Sequence, residues 1–170
     1  MKVLQIPIYL IAVFMLISCG SGTTETGTKT STSSSTVQAS AALPQSIMDG
    51  KGIGGTEHVE LAADLDQSMI DGGKSIFDMK CSACHKLNDK RVVGPGFEGV
   101  TNRRKPEWIM NMITDVDAML DQDPEAQKLL EECLTRMPNQ NVSLAEARNL
   151  LEFMRHNDQE RTGKMDGAVN

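Results

Sequence analysis

Two thiols and an imidazole stand together in Cys81-Ser82-Ala83-Cys84-His85. Cysteines two residues apart, followed at once by histidine, have the spacing of a c-type haem attachment site. The thiols can add to the two vinyl groups of one haem, and the adjacent imidazole can ligate its iron. The 170-residue chain holds only three histidines and four cysteines, so this order is hard to reach by chance. Two other chemistries use the same two-residue gap. A redox dithiol needs a βαβ surrounding, and no neighbouring segment reads as one. A closed zinc site needs four ligands, which Cys133 and the scattered His58 and His156 supply poorly. The residues point to one covalently attached haem c.

The segments around this motif read as helices. A first helix is expected from about Asp66 to Cys81, with Met69, Gly73, Phe77 and, less squarely, Ile76 on one face. Pro106 after Lys105 suits the first position of a second helix, Glu107 to about Leu120. Asp123-Pro124-Glu125 repeats the device, a cap followed by proline, and leads into the apolar stripe Leu129, Leu130 and Cys133. Ser143-Leu144-Ala145-Glu146 forms a capping box for the last helix, where Leu144, Ala147, Leu150, Leu151 and Met154 follow at helical spacing. No run alternates as a strand would. About a hundred residues in one small all-α domain is the expectation.

The first residues address the compartment. Lys2 precedes an apolar run, Ile8 to Ile17, that ends in Leu16-Ile17-Ser18-Cys19-Gly20, the pattern of a secretory signal. The run is shorter than the ~20 apolar residues a spanning helix needs. Its ending resembles the lipobox of bacterial lipoproteins, which implies cleavage of residues 1–18 and lipid on Cys19. The other reading is an ordinary signal with Cys19 incidental. Several acyl chains would hold the protein on a membrane, where one alone binds marginally, and the expected location is the periplasmic side of the cell envelope. Ser21 to Ser40 is Ser, Thr and Gly with Glu25 and Lys29 as its only charges, too little apolar surface to offset chain entropy. Ala41 to Glu60 carries Gly50, Gly52, Gly54 and Gly55 without a phosphate-loop pattern and reads as loop. Residues 19–60 are thus expected to form a flexible tether.

From about Leu65 to Arg155 the chain resembles a class I cytochrome c of the bacterial type. Gly73 and Phe77 stand eight and four residues before Cys81, where that family places its helix-contact glycine and core aromatic. The resemblance implies a small fold with N- and C-terminal helices packed across the covalent haem, spanning 61–158 and leaving 159–170 as a polar tail. Val93-Gly94-Pro95-Gly96-Phe97 is similar to the family's Gly-Pro turn. There the carbonyl of Pro95 would accept the proton on the second nitrogen of His85, fixing the tautomer and strengthening donation to iron. Met137-Pro138-Asn139 resembles the loop that supplies the second iron ligand, a soft thioether that with histidine raises the haem potential. Of the eleven methionines, Met110, Met112, Met119 and Met154 fall in helical stretches and read as core, while Met48 and Met165 fall in the flanks. His58 before the first helix and His156 after the last read as surface groups. Thr101-Asn102-Arg103-Arg104 with Trp108 is similar to the segment that covers the haem propionates, to which Arg103, Arg104 and the indole N–H could donate. A solvated basic turn and a core tryptophan fit these residues equally well.

The formal charge is −6. Lys86, Lys90, Arg91, Arg103, Arg104 and Lys105 fall early, and Asp115, Asp117, Asp121, Asp123, Glu125, Glu131 and Glu132 fall later. Two such patches could steer a charged redox partner, or be two solvated helix faces. The stretch Asp115 to Glu132 is longer than compact relatives need. Nothing supports nucleic-acid binding. Cys133, on the apolar stripe, reads as a small buried hydrophobe in a monomer, with a disulfide dimer as the lesser alternative. The expected function is a membrane-anchored electron carrier exchanging single electrons with redox proteins, not an enzyme. A haem sensor or peroxidase-like protein with an open sixth position, and a fixed electron-entry subunit of a reductase or oxidase, are the alternatives.

Overall fold

A computed structural model describes residues 42–169. The expected signal peptide, Cys19 and the Ser21–Ser40 segment lie outside the described residues. The described elements are α1 (Gln45–Met48), α2 (Gln67–Ile76), a π-helical turn (Phe77–Cys81), α3 (Val100–Arg103), α4 (Pro106–Thr114), α5 (Val116–Gln122), α6 (Pro124–Cys133), α7 (Leu144–Thr162) and a closing 3₁₀ turn (Gly167–Val169). Among the described residues there is no strand, so the all-α reading stands. None of their helices is long and apolar enough to cross a membrane.

Local chemistry sets the helix ends. The Asp66 carboxylate accepts from the Met69 N–H at 3.0 Å and starts α2. Asp123 does the same for α6 through the Ala126 N–H at 2.9 Å, with Pro124 at the first position. Ser143 and Glu146 exchange the two bonds of the capping box at the start of α7.

The expected second helix is two helices. Asp115 leaves helical geometry at φ −123°, ψ 39°. Its carboxylate accepts from the Gly55 N–H at 3.2 Å and the Thr114 hydroxyl at 3.1 Å, side-chain bonds that compete with continuation of the helix.

α2 and α7 cross at Gly73. A Cβ there would fall inside the contact distance of the Asn149 carbonyl oxygen and the Phe153 side chain. Phe77 fills the junction, its ring 5.6 Å from Phe97 and 5.7 Å from Phe153. Ile70 joins Ile76 and Phe77 in the core, whereas Met69 is half-buried and Leu144, expected on the inner stripe of α7, is exposed. Gly73→Ala should therefore cost about 1–3 kcal/mol, as overpacking does where backbone is the obstacle. Urea unfolding of the haem-loaded protein checks this, and a variant within about 0.5 kcal/mol of the parent, the scale of an innocuous surface change, would mean the helices can separate freely.

Two domain boundaries move. Residues 51–61, all but Leu61 expected in the tether, form a strap on α4. Glu107, Asn111 and Asp115, four residues apart and so on one helix face, accept the N–H groups of Val59 (3.2 Å), Thr56 (2.9 Å) and Gly55 (3.2 Å). The Asn111 amide also donates to the Lys51 and Thr56 carbonyls at 3.0 Å each. At the other end α7 runs on to Thr162, so His156 lies within it and not beyond it. The expected tail returns to the body: Asp166 pairs with Arg155 at 2.8 Å and the Gly167 N–H donates to Asn102 at 3.0 Å. Asp158, fully buried, accepts from the Gly99 and Thr101 N–H groups (2.7 and 2.8 Å) and the Thr101 hydroxyl (2.7 Å), fixing α3 to α7.

Candidate cofactor site

The π-helical turn delivers Cys81 to the domain interior, and the chain then tightens. The N–H groups of Cys84 and His85 both donate to the Cys81 carbonyl, at 3.1 and 2.9 Å. The Cys84 carbonyl accepts from Val93 (3.3 Å) and Gly94 (3.0 Å), folding the following loop back over the motif. That closure places the Pro95 carbonyl 2.8 Å from His85 Nδ1. A carbonyl only accepts, so Nδ1 carries the proton and Nε2 keeps its lone pair for a metal. Gly94 lies directly beneath the ring, where a Cβ would press on the imidazole. Phe97 leans on it with centroids 4.7 Å apart. Burial lowers the His85 pKa, opposed by the Pro95 bond, and so favours the neutral ligand form.

The thiols are half-buried and unjoined. Burial pushes Cys81 up to about 11, with Lys80 lowering it and Cys84 raising it further. A reactive redox dithiol needs a lowered pKa, so this environment argues against that chemistry. Among the described residues no group of three His, Cys, Asp or Glu could hold a metal ion, which disposes of the zinc reading.

Above the motif opens a cavity of about 210 Å³. Cys84, His85 and Pro95 line it, with Ile109 and Ile113 of α4, Leu129 of α6 and Met137. A smaller cavity of about 50 Å³ shares Cys84, His85 and Met137 and adds Cys81. Met137 is half-buried on the loop that begins where Leu134 turns left-handed at φ 55° and ends α6. The other sulfurs separate by environment. Met110, Met119 and Met154 are buried on helices, and Met119 Sδ accepts from the Ile53 N–H at 3.1 Å. Met48 is exposed and Met165 half-buried, both away from the cavities. Met112 and Met154 also line the larger cavity, but from helices, whereas Met137 alone of the three is on a loop. His58 is exposed and bonded to Glu60 at 2.6 Å, and His156 lies 3.6 Å from Glu160; neither lines a cavity.

Arg103, Arg104 and Trp108 all line the larger cavity. Their donors are differently committed. The single N–H of the indole goes to Asp123 at 3.1 Å, so Trp108 serves as wall and not as the expected propionate donor. Arg104 stacks over that indole at 4.7 Å and bonds Glu125 at 2.8 Å, holding the Glu125 carboxyl below its usual value. Arg103 donates to the Glu98 carbonyl at 2.6 Å and has no carboxylate partner among the described residues. The basic and acidic patches expected from sequence meet where Arg91 pairs with Glu132 and Arg104 with Glu125, while Arg136, outside the basic patch, takes Asp117 and Asp121.

Arg136 and Cys133 also line the larger cavity, and Asp123 both caps α6 and holds the indole. Sequence reading missed these roles. Adjacency to Met137 is the signal that could have drawn attention to Arg136. A thiol pair, an imidazole with a free Nε2, a loop-borne thioether and apolar walls rimmed by arginines fit a covalent haem.

A family model described as "Cytochrome c" matches residues 70–158. A cytochrome c from Rhodothermus marinus is similar at 30% identity and a TM-score of 0.64, covering 69% of this chain and 99% of that one. An engineered cytochrome c from the same organism is similar at 30% identity and 0.62, covering 68% and 97%. A structure of an engineered form bound to a carbene intermediate matches at 30% and 0.60, with the same coverage. No curated protein matches the chain.

Proposed function

The chain belongs to the cytochrome c family, with one covalently attached haem c and the haem-based electron transfer that the family implies, and from that premise we propose a membrane-anchored electron carrier whose iron is held between His85 and Met137. When bound, the haem supplies a one-electron ferric/ferrous couple. Cys81 and Cys84 tether it, and the Pro95 carbonyl holds the His85 proton on Nδ1 so that Nε2 faces its task as a ligand. Ile109, Ile113, Leu129 and Phe97 keep water out. Arg103 is the better placed of the two arginines for a propionate, since Arg104 is already engaged by Glu125.

The observation that carries this reading is the Nδ1–H···O bond at 2.8 Å on a histidine that lines both cavities together with the loop-borne thioether of Met137. A thioether filling the sixth position leaves no open site for peroxide or a sensed gas, and little reorganisation accompanies the change of charge. An engineered relative holds a carbene intermediate; for this chain a carrier without substrate chemistry is the reading. The lipobox-like ending at Cys19 and the Ser/Thr/Gly composition of Ser21–Ser40 support anchoring. Lipid on Cys19 would present the domain to redox partners in or near the membrane.

The near-infrared spectrum of the ferric protein beside Met137→Ala tests the ligation. The parent should show a thioether-to-iron charge-transfer band that the variant lacks. The variant's midpoint potential should fall by roughly a hundred millivolts or more, within the ~0.8 V range that axial ligands control. A high-spin or bis-histidine parent would remove Met137 from iron and bring ligand sensing or peroxidase-like chemistry forward.

A further inference from the structure

Between α6 and α7 the chain carries Met137 across the cavity on a segment with little structure of its own. Among the described residues, the hydrogen bonds that leave segment 135–141 are few. Arg136 Nη2 donates to Asp117 and to Asp121 at 3.0 Å each, and Lys80 Nζ donates to the Asn141 carbonyl at 3.3 Å. The remaining ones, Gln140 to the Pro138 carbonyl and the Asn141 N–H to Asn139, stay inside the loop. Asp117 and Asp121 are four residues apart and so share one face of α5. The opposite side of that helix is fixed, with Val116 and Met119 fully buried and Leu120 nearly so.

We propose that the Asp117–Arg136–Asp121 fork is a clamp that positions the axial methionine, making Arg136 a positioning residue for the sixth ligand. This rests on Met137 being that ligand. It assigns a task to the acidic stretch that sequence alone leaves as a cover or docking face. The three side chains stay 45%, 67% and 63% exposed, so the fork adds little to global stability. The opening of one loop is a smaller equilibrium than unfolding. A contact between the loop and a rigid helix acts on that equilibrium in full. Each opening exposes iron to competing ligands, so exogenous imidazole reports how often Met137 leaves.

The test uses the haem-loaded protein and three variants: Arg136→Gln, Arg136→Lys and Asp117→Asn/Asp121→Asn. In the ferric parent the thioether band should be present, and imidazole affinity should rise with added KCl as the ion pairs are screened. Arg136→Gln and the double variant should bind imidazole roughly fivefold tighter, the upper end for an exposed ion pair, and lose the salt dependence. Arg136→Lys should lie between, keeping charge without the fork. Denaturation midpoints should match the parent, which a merely structural role would not allow. Parent-like imidazole affinity in the variants, with the band present in the parent, overturns the clamp alone. Absence of the band in the parent overturns the ligation and the clamp together.

Discussion

Exported beside the parent, a Cys81→Ser/Cys84→Ser protein is expected to yield no haem that survives acid–acetone extraction, while each single variant keeps one thioether bond. The thiols are both half-buried, line cavities that His85 also lines, and have no disulfide partner among the described residues. Loss of the bonds also removes what fills the core. At ~24 cal/mol per Å³, the coefficient for a closed void, a cavity of about 210 Å³ left empty would cost at most about 5 kcal/mol. The whole stability of a small domain is only about 5–15 kcal/mol. The double variant should therefore be protease-sensitive as well as colourless. Covalent haem in that variant would end the assignment of the attachment site, and a colourless but protease-resistant variant would show that α2 and α7 hold without the haem.

The parts of this fold that were legible in the sequence are those set by local chemistry. Caps and first-position prolines announced α4, α6 and α7, because Asp123, Ser143 and Pro106 act on neighbours three or four residues away. Gly73 and Phe77 were legible through family resemblance, and the α2–α7 contact gives the physical reason for both. What the sequence hid depends on partners far along the chain. The break at Asp115 answers to Gly55, sixty residues earlier. The strap at 51–61 looks like linker in composition, yet it docks through backbone N–H groups that any residue type would supply. Periodicity also misplaced Leu144, which is exposed in the first turn of α7 although Val142 before it and Ala147 after it are buried.

The site divides in the same way. Cys81, Cys84 and His85 declare themselves by spacing, and the Pro95 bond follows from a turn only ten residues on. Trp108 could be placed at the cavity but not given a hydrogen-bond partner, because Asp123 reaches it from the next helix but one. Composition likewise showed two opposed charge patches, where folding pairs Arg91 with Glu132 and Arg104 with Glu125 and gives Asp117 and Asp121 to Arg136, which lies outside the basic run.

Arg155→Met is expected to cost about 3–5 kcal/mol at pH 7, the range for breaking a buried ion pair. Arg155 and Glu152 each keep only 1% of their side-chain surface exposed and meet at 2.9 Å. The guanidinium also donates to both Asp166 oxygens and to the Ala62 carbonyl at 2.7 Å, so one side chain joins α7 to the approach to α2 and to the C-terminal turn. Methionine fills a similar volume but leaves Glu152 with only Arg148 and the Asp66 N–H, and the Ala62 carbonyl without its donor. The acid limb of stability should carry the same signature. Burial works to raise the Glu152 carboxyl, and bonds from Arg148, the Asp66 N–H and Arg155 outweigh it, leaving its pKa below the ordinary glutamate value. A carboxyl depressed in the folded state contributes stability above its unfolded pKa, and that contribution is lost as pH falls through the lower folded value. Urea titrations from pH 7 downward should thus show the parent losing stability below about pH 4.5, with Glu152→Gln starting lower and falling less. Parallel acid limbs would assign the acid sensitivity to other carboxylates, and an Arg155→Met protein as stable as the parent would mean that packing alone holds the two termini. The haem spectrum of either variant should stay parental, because neither residue lines a cavity; a change there would mean that the network reaches the iron through Asp158 and α3, whose last residue is Arg103.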